Sequence, residues 1–445
     1  MKMIQQILQA LQRAEIAQYY IDKIETQSAE VFFVRRNLDL KRRTDVTEYT
    51  VTVYHVYEQV GQPKLGASNA QIYPGMEAEE IEAAVRAAYH AAGFAGNPSY
   101  ELYKGTKEEF IPSGSSLAGQ TLEETLRQMT DALFAADVQE RVFINSAEVF
   151  AKRQIHHTIN SNGVDVSFET YQVSGEYVVQ CTQPQDVETY HSFSYREADA
   201  EALRKDVEEA LVMTEARANA TQAPAAGAYR IILSGEQMAT LLDYYVERSA
   251  SSMVYQQYSN YQVGMQVQGT TQDDAMVDAQ SAGENAVEIA KAGDLLTIIL
   301  KAKDPYSNEG IPMKDRVLME KGLLQTIHGG NRFAQYLGIE PTGFYNSIEV
   351  PVGEMPLDEM KKGAYLHSVS FSDFQMDSFS GHFGGEIRLA FLSDGSRVIP
   401  VTGGSVNGSV LEMQDKMVFS KERYKNGRYD GPMAVCLNGV QVAGV

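Results

Sequence analysis

Twice within residues 1–220 the chain writes the same order: an amphipathic helix, several β-rich runs, then a second amphipathic helix. That repetition restricts the fold more than any other feature. In the first copy, Ile4, Ile7, Leu8, Leu11, Tyr20, Ile21 and Ile24 carry a helical stripe over residues 3–24. Residues 31–34, 49–56 and 69–73 read as strands. After Pro74-Gly75, Ile81, Val85, Ala88 and Ala92 share one helical face, which ends at Gly93 and Gly96-Asn97-Pro98. In the second copy, Thr121 and Glu124 form a capping box for a helix bearing Leu122, Leu126, Met129 and Leu133. Residues 142–151, 154–160, 164–171, 176–181 and 188–193 read as strands, with Ser161-Asn162-Gly163 as a tight turn. Ser194 and Glu197 are then placed to cap a helix carrying Leu203, Val207, Ala210 and Leu211. The expected fold class is α+β, with units 1–98 and 120–220 duplicating helix, antiparallel sheet and helix inside an N-terminal domain of residues 1–222.

A second kind of chain follows an Ala-rich connector at 219–228. It opens with a short apolar strand at 230–234 and a helix at 236–248, for which Ser234 and Gln237 read as a capping box. Met238, Leu241, Leu242 and Tyr245 recur as one buried face. Asp243 and Glu247, four residues apart, share another face, with Arg248 as the nearest base. Residues 256–293 are too long for an ordinary connector and read as a lid or a partly helical excursion. Beyond them lie short β runs at 295–302, 316–319, 324–327, 347–350, 366–371, 386–391 and 398–401, interrupted by short helices at 330–337 and 357–361. Residues 223–445 are therefore expected to form a mostly β, barrel-like C-terminal domain.

Composition excludes several function classes. A net charge of −21 opposes nucleic-acid binding, which needs a basic surface to displace counterions from phosphate. The basic cluster Arg35, Arg36, Lys41, Arg42 and Arg43 reads as a solvated strand edge. No apolar run approaches a membrane span. The two cysteines, Cys181 and Cys436, sit far apart and form no C-x-x-C, which argues against a disulfide framework or a structural zinc and suits a cytoplasmic setting.

No phosphate-binding loop, dinucleotide fingerprint, G-x-S-x-G or H-E-x-x-H occurs. Of the eight histidines, His156 and His157 are adjacent, but neighbours in a strand point to opposite faces and cannot chelate one ion. The glycine-rich runs at 378–385 and 402–408, with Gly384, Gly385 and Gly404, fit either the close approach of an extended peptide or bends at barrel corners.

Read in order, Asn308-Glu309-Gly310-Ile311-Pro312, Arg316 through Leu324, Ala334-Gln335-Tyr336-Leu337-Gly338, Pro341-Thr342-Gly343, Phe379-Ser380-Gly381 and Pro400-Val401 resemble the TldD/PmbA family. This family is also called peptidase U62 or modulator of DNA gyrase. The likeness spans about residues 225–445, and Asn160-Ser161-Asn162-Gly163 extends it into the first half. In the TldD branch the resemblance implies H-E-x-x-x-H on the helix after the opening strand, with zinc held by its histidines and a cysteine near the late glycine-rich turn. The matching positions here are Asp243, Tyr244 and Arg248, and residues 402–408 contain no cysteine. The resemblance therefore implies a PmbA/TldE-like branch without the zinc motif.

In that branch two related chains form a heterodimer that degrades peptides, acting in microcin maturation and antitoxin removal. The implied role is a non-catalytic subunit with no cofactor of its own, unfolded peptide as substrate, and zinc in a TldD-like paralogue. Partnership with itself as a homodimer is the other assembly. Cleft candidates are Asp243, Glu247, Arg248, Gly384, Gly385 and Gly404. Two alternatives stand beside it: a self-sufficient hydrolase holding a hard cation at Asp243 and Glu247, and a non-enzymatic homodimeric peptide-binding scaffold.

Overall fold

Both copies of the repeated order enter a single antiparallel sheet. In the computed structural model, which describes residues 2–269 and 293–444, the first copy comprises α1 (Lys2–Arg13), β1 (Gln18–Val34), β2 (Asn37–Gln59), β3 (Gln62–Ile72) and α2 (Ala78–Ala92). The second comprises α3 (Leu122–Ala135), β5 (Val142–Asn160), β6 (Asp165–Cys181), β7 (Val187–Tyr195) and α4 (Ala200–Ala218). With the edge strand β4 (Asn97–Pro98), the sheet order is β4-β3-β2-β1-β5-β6-β7. The copies join through β1 and β5, paired from Tyr20↔Asn160 to Val34↔Ser146. Two cores form on the helix-covered face. One gathers Ile7, Leu11, Ile21, Val51, Ile81 and Val85; the other gathers Val31, Met129, Leu133, Val149, Val179 and Val207.

The strands are longer than their sequences advertise. The helix expected over residues 3–24 stops at Arg13, and Tyr20, Ile21 and Ile24 belong to β1. The runs at 142–151 and 154–160 are one strand, as are those at 164–171 and 176–181. Each long strand has one face against helices, while its other face carries side chains such as Asp22, Thr26, Gln154 and Thr170. Such polar alternates break the apolar signal without breaking the ladder. The basic cluster pairs with carboxylates of the same chain: Arg36 with Asp137, Arg42 with Glu30, and Arg43 with Glu123.

In the second half, β8 (Gly227–Ser234), β13 (Ala364–Met376), β14 (His382–Asp394), β16 (Ser405–Ser409) and β20 (Ala434–Ala443) close into a five-stranded barrel. β8 lies parallel to β13, and the other four pairings are antiparallel. β15 (Val398–Val401) and β17 (Val418–Phe419) attach to β14 and β20. A second sheet runs β11 (Leu323–Leu324), β10 (Arg316–Glu320), β9 (Ile298–Leu300), β12 (Ile348–Glu349), β19 (Tyr429–Pro432) and β18 (Arg423–Lys425). The apolar run of β8 is explained by burial on both faces. Ile231 and Leu233 enter the main core, and Ile232 packs with Met360, Tyr365 and Cys436.

Residues 256–269 run as a loop along the β10–β11 turn, with the Gly264 N–H donating to Leu324 O at 2.8 Å and the Val267 N–H to Gly322 O at 2.8 Å. The rest of the expected lid or excursion, residues 270–292, lies outside the described residues. Among the described residues, no helix is long and apolar enough to cross a membrane.

Candidate functional site

β8 ends at Ser234, and Gly235, at φ +73°, turns the chain directly into α5 (Gln237–Arg248). The expected capping box is not made. Glu236 occupies the N-cap without a side-chain hydrogen bond, and the Ser234 hydroxyl lies 2.8 Å from His367 Nε2 on the neighbouring strand. Ser234 is still in the β ladder, paired with Ala434, so its side chain projects from the sheet and cannot reach the first helical turn. The expected buried face is present: Met238, Leu241, Leu242 and Tyr245 are each at most 1% exposed. At the other end His328, itself buried, lies with Nε2 2.9 Å from the Val246 carbonyl, and burial lowers its pKa, so a neutral ring donates that hydrogen bond.

The three polar side chains that motivated a site here go to three destinations. Asp243 is held by a two-pronged ion pair, accepting from Arg428 Nη1 at 2.8 Å and Nη2 at 2.9 Å. Glu247 accepts from the Ser378 hydroxyl in the turn between β13 and β14. Arg248 reaches that same turn and the loop after α5. Its Nη1 donates to Tyr258 O at 3.3 Å, Ser378 O at 3.3 Å and Phe379 O at 3.4 Å, and its Nη2 to Asn260 Oδ1 at 3.2 Å. The guanidinium also lies over the rings of Tyr244, at 5.6 Å, and Tyr261, at 5.2 Å. Asp243 and Glu247 thus have separate partners, and the structure does not converge them on one point.

The glycines sit in the barrel wall. A Cβ on Gly385 would lie 2.7 Å from Asp373 O, and one on Gly404, at φ +73°, 2.5 Å from Ala443 O. Both positions are accounted for by close strand approach. Gly384 has a comparable neighbour in Val406 O at 2.8 Å, and it also lines an open surface groove of about 390 Å³ with Asp373, Met376, Asp377, His382 and Asn407.

A zinc site of the kind the resemblance assigns to its TldD branch does not fit these residues. The position of the first ligand is an aspartate already neutralised by Arg428, the middle position is Tyr244, buried and packed edge-on against Tyr245, and the last is a cation. Cys436 lies on β20 beside Ile232, away from residues 402–408 in the ladder. Among the described residues no three His, Cys, Asp or Glu side chains gather as a metal cage.

Sequence reasoning missed Arg428, Tyr258 and Asn260, which are isolated residues in loops without a local pattern. It also missed what the resemblance motifs do. The Glu309 carboxylate accepts the Asn331 N–H at 2.9 Å, and burial raises its pKa. Asn331 and Gln335 both donate to Glu101 O at 2.7 Å, and Asn160 and Asn162 donate to Tyr103 O and Leu102 O at 2.8 and 2.6 Å. Gly310 lies against Val164. The motifs at 160–163, 308–312 and 334–338 therefore meet where the long sheet touches the second half.

Residues 226–444 match the profile of the PmbA/TldA metallopeptidase C-terminal domain. A stretch of 145 residues is 27% identical to a metalloprotease TldD homolog of Buchnera aphidicola and spans 29% of each chain, so less than a third of that relative is matched. Three solved structures share the fold over 99% of this chain at 14% identity. A protein named as a modulator of DNA gyrase from Bacteroides thetaiotaomicron has a TM-score of 0.75 with 98% of its chain covered. TldE from Thermococcus kodakarensis has 0.74 with 100% covered. A further protein named as a gyrase modulator, from Thermotoga maritima, has 0.72 with 99% covered.

Proposed function

The chain belongs to the TldD/PmbA family, and from that premise we propose that it serves as a TldE-like, zinc-free subunit of a metallopeptidase system that degrades or processes peptides. The observation that carries this reading is the occupancy of α5: Arg248 stands at one ligand position with its guanidinium spent on protein oxygens, and Asp243 at another is bound by Arg428. A resident guanidinium repels a divalent cation, so hydrolytic zinc belongs on a second chain. That chain is a TldD-like paralogue bearing H-E-x-x-x-H, in a cytoplasmic heterodimer, with a pair of this chain as the alternative assembly. Unfolded peptide is the proposed substrate, held through its main chain along a strand edge or groove. The gyrase name borne by two structural neighbours finds no support in a chain of net charge −21.

The hydrolase with a cation between Asp243 and Glu247 gains no support, because each carboxylate has its own partner. The test is metal analysis and peptidase assay of the purified chain, alone and co-expressed with the paralogue. Alone it is expected to hold no stoichiometric zinc and to cleave nothing, and together to yield an active complex. Tight zinc with hydrolysis by the isolated chain would overturn the reading.

A further inference from the structure

We propose that Arg248 is a positioning residue whose guanidinium fastens the 258–260 loop and the β13–β14 turn to the end of α5, and so sets Tyr258 and Phe379 as a fixed aromatic lip. The two segments it fastens are far apart in the chain. Tyr258 and Asn260 follow α5 by a short helix and a loop, whereas Ser378 and Phe379 lie 130 and 131 residues further along than Arg248. One side chain gathers oxygens from both segments, and two tyrosine rings flank its charge. Glu247, the preceding residue, takes the Ser378 hydroxyl, so the turn is held by adjacent residues of one helix.

The turn's own bonds prepare it for this. Asp377 accepts the Phe379 N–H at 2.9 Å, and the Gly381 N–H returns to Asp377 O at 2.8 Å, with Gly381 at φ +77°. These bonds close the turn; the Val410 N–H holds its far end by donating to Gly381 O at 2.8 Å, and Arg248 and Glu247 hold its Ser378–Phe379 side. The result is an edge-on aromatic pair, Tyr258 against Phe379 with centroids 5.3 Å apart, whose residues remain 53% and 61% exposed. Two large rings held at the surface across a loop junction are a contact surface for an apolar side chain of an extended peptide. That last step rests on the peptide-binding role proposed above.

Arginine suits the task where lysine does not, because its planar fork reaches several acceptors at once while its faces stack on rings.

The test uses the full-length chain. Because it contains no tryptophan, Phe379→Trp supplies a single emission reporter at the lip. Arg248→Met, which keeps the length and apolar stem, is expected to red-shift that emission and to speed exchange of the Phe379 and Gly381 amides about tenfold, the loss of charge-assisted bonds being the cause. Arg248→Lys is expected to restore part of the protection. Guanidinium ion well below denaturing concentration is expected to reverse the Arg248→Met shift, an outcome that a general packing defect would not give.

Unchanged exchange and emission in Arg248→Met, or failure of both lysine and guanidinium to restore them, would overturn the positioning role. Binding of a fluorescent unstructured peptide is measured separately. Weakening in Arg248→Met with recovery by guanidinium supports the lip as a contact surface. A lip that shifts while no variant, wild type included, binds peptide would overturn the peptide-binding reading and leave the positioning role intact.

Discussion

His367 shows how a single side chain in the barrel wall can set the acid stability of the fold. It is 7% exposed, its Nε2 meets the Ser234 hydroxyl, and burial first and the Lys361 charge second lower its pKa to about 3. The folded chain therefore keeps this ring neutral while the unfolded chain protonates it below about 6.5. Between those two values the unfolded state binds more protons, so stability falls as pH falls from about 6.5 towards 3. At pH 4.5 the cost from this residue is about 2–3 kcal/mol. His367→Gln retains a partner for Ser234 and removes the titration. Urea unfolding at pH 7.5 and 4.5 is expected to show a smaller acid loss in the variant, and equal losses in the two proteins would rule this out. The expectation from sequence gave Ser234 a different partner, since nothing local reveals that residues 234 and 367 lie on adjacent parallel strands.

The same limit appears one scale up, in how helices begin. Of the three Ser or Thr residues expected from sequence to cap a helix with a Glu or Gln three residues on, only Thr121 with Glu124 forms the reciprocal box, at 2.9 and 3.2 Å. Ser234 and Ser194 are instead held in ladders, opposite Ala434 and Ser174. A strand that has not yet ended cannot donate its side chain to the next helix, so pairing overrides the local signature. For α4 the cap falls to Asp199, whose carboxylate accepts from the Ala202 N–H at 3.0 Å. Thr121→Ala and Asp199→Ala are each expected to cost about 1 kcal/mol. Ser194→Ala is expected to leave the start of α4 unaffected. Amide exchange in the first turns of α3 and α4 distinguishes these outcomes, and loss of protection at Ala202 in Ser194→Ala would contradict the assignment. Long strands were hidden for a related reason: β1 and β5 alternate apolar residues with Asp22, Thr26 and Gln154, which lie on the face opposite the one that packs against α1–α4.

At the scale of the whole molecule, the repetition of elements and the many short strands made an α+β half and a barrel-like half legible, because both follow from periodicity. Their junction was not, because it is built from turn residues that meet only in three dimensions. Gly310 shows what the junction demands. It holds φ +73°, and a side chain there would overlap Val164, which is 1% exposed and follows the Asn160-Ser161-Asn162-Gly163 turn of the other half. Gly310→Ala therefore carries two costs, about 1–2 kcal/mol for a left-handed alanine and about 1–3 kcal/mol for the overlap. The second should be relieved by making room across the junction. Val164→Ala alone leaves a small cavity and destabilises. Combined with Gly310→Ala, the pair is expected to be less destabilised than the sum of its parts by about 1–2 kcal/mol. Urea unfolding of the four proteins closes this cycle. Simple additivity would mean that residues 164 and 310 do not bear on one another. A favourable coupling would mean that the glycine of the Asn308–Pro312 motif is required by contact between the halves, so that a stretch which carries the family resemblance in sequence acts as a structural joint.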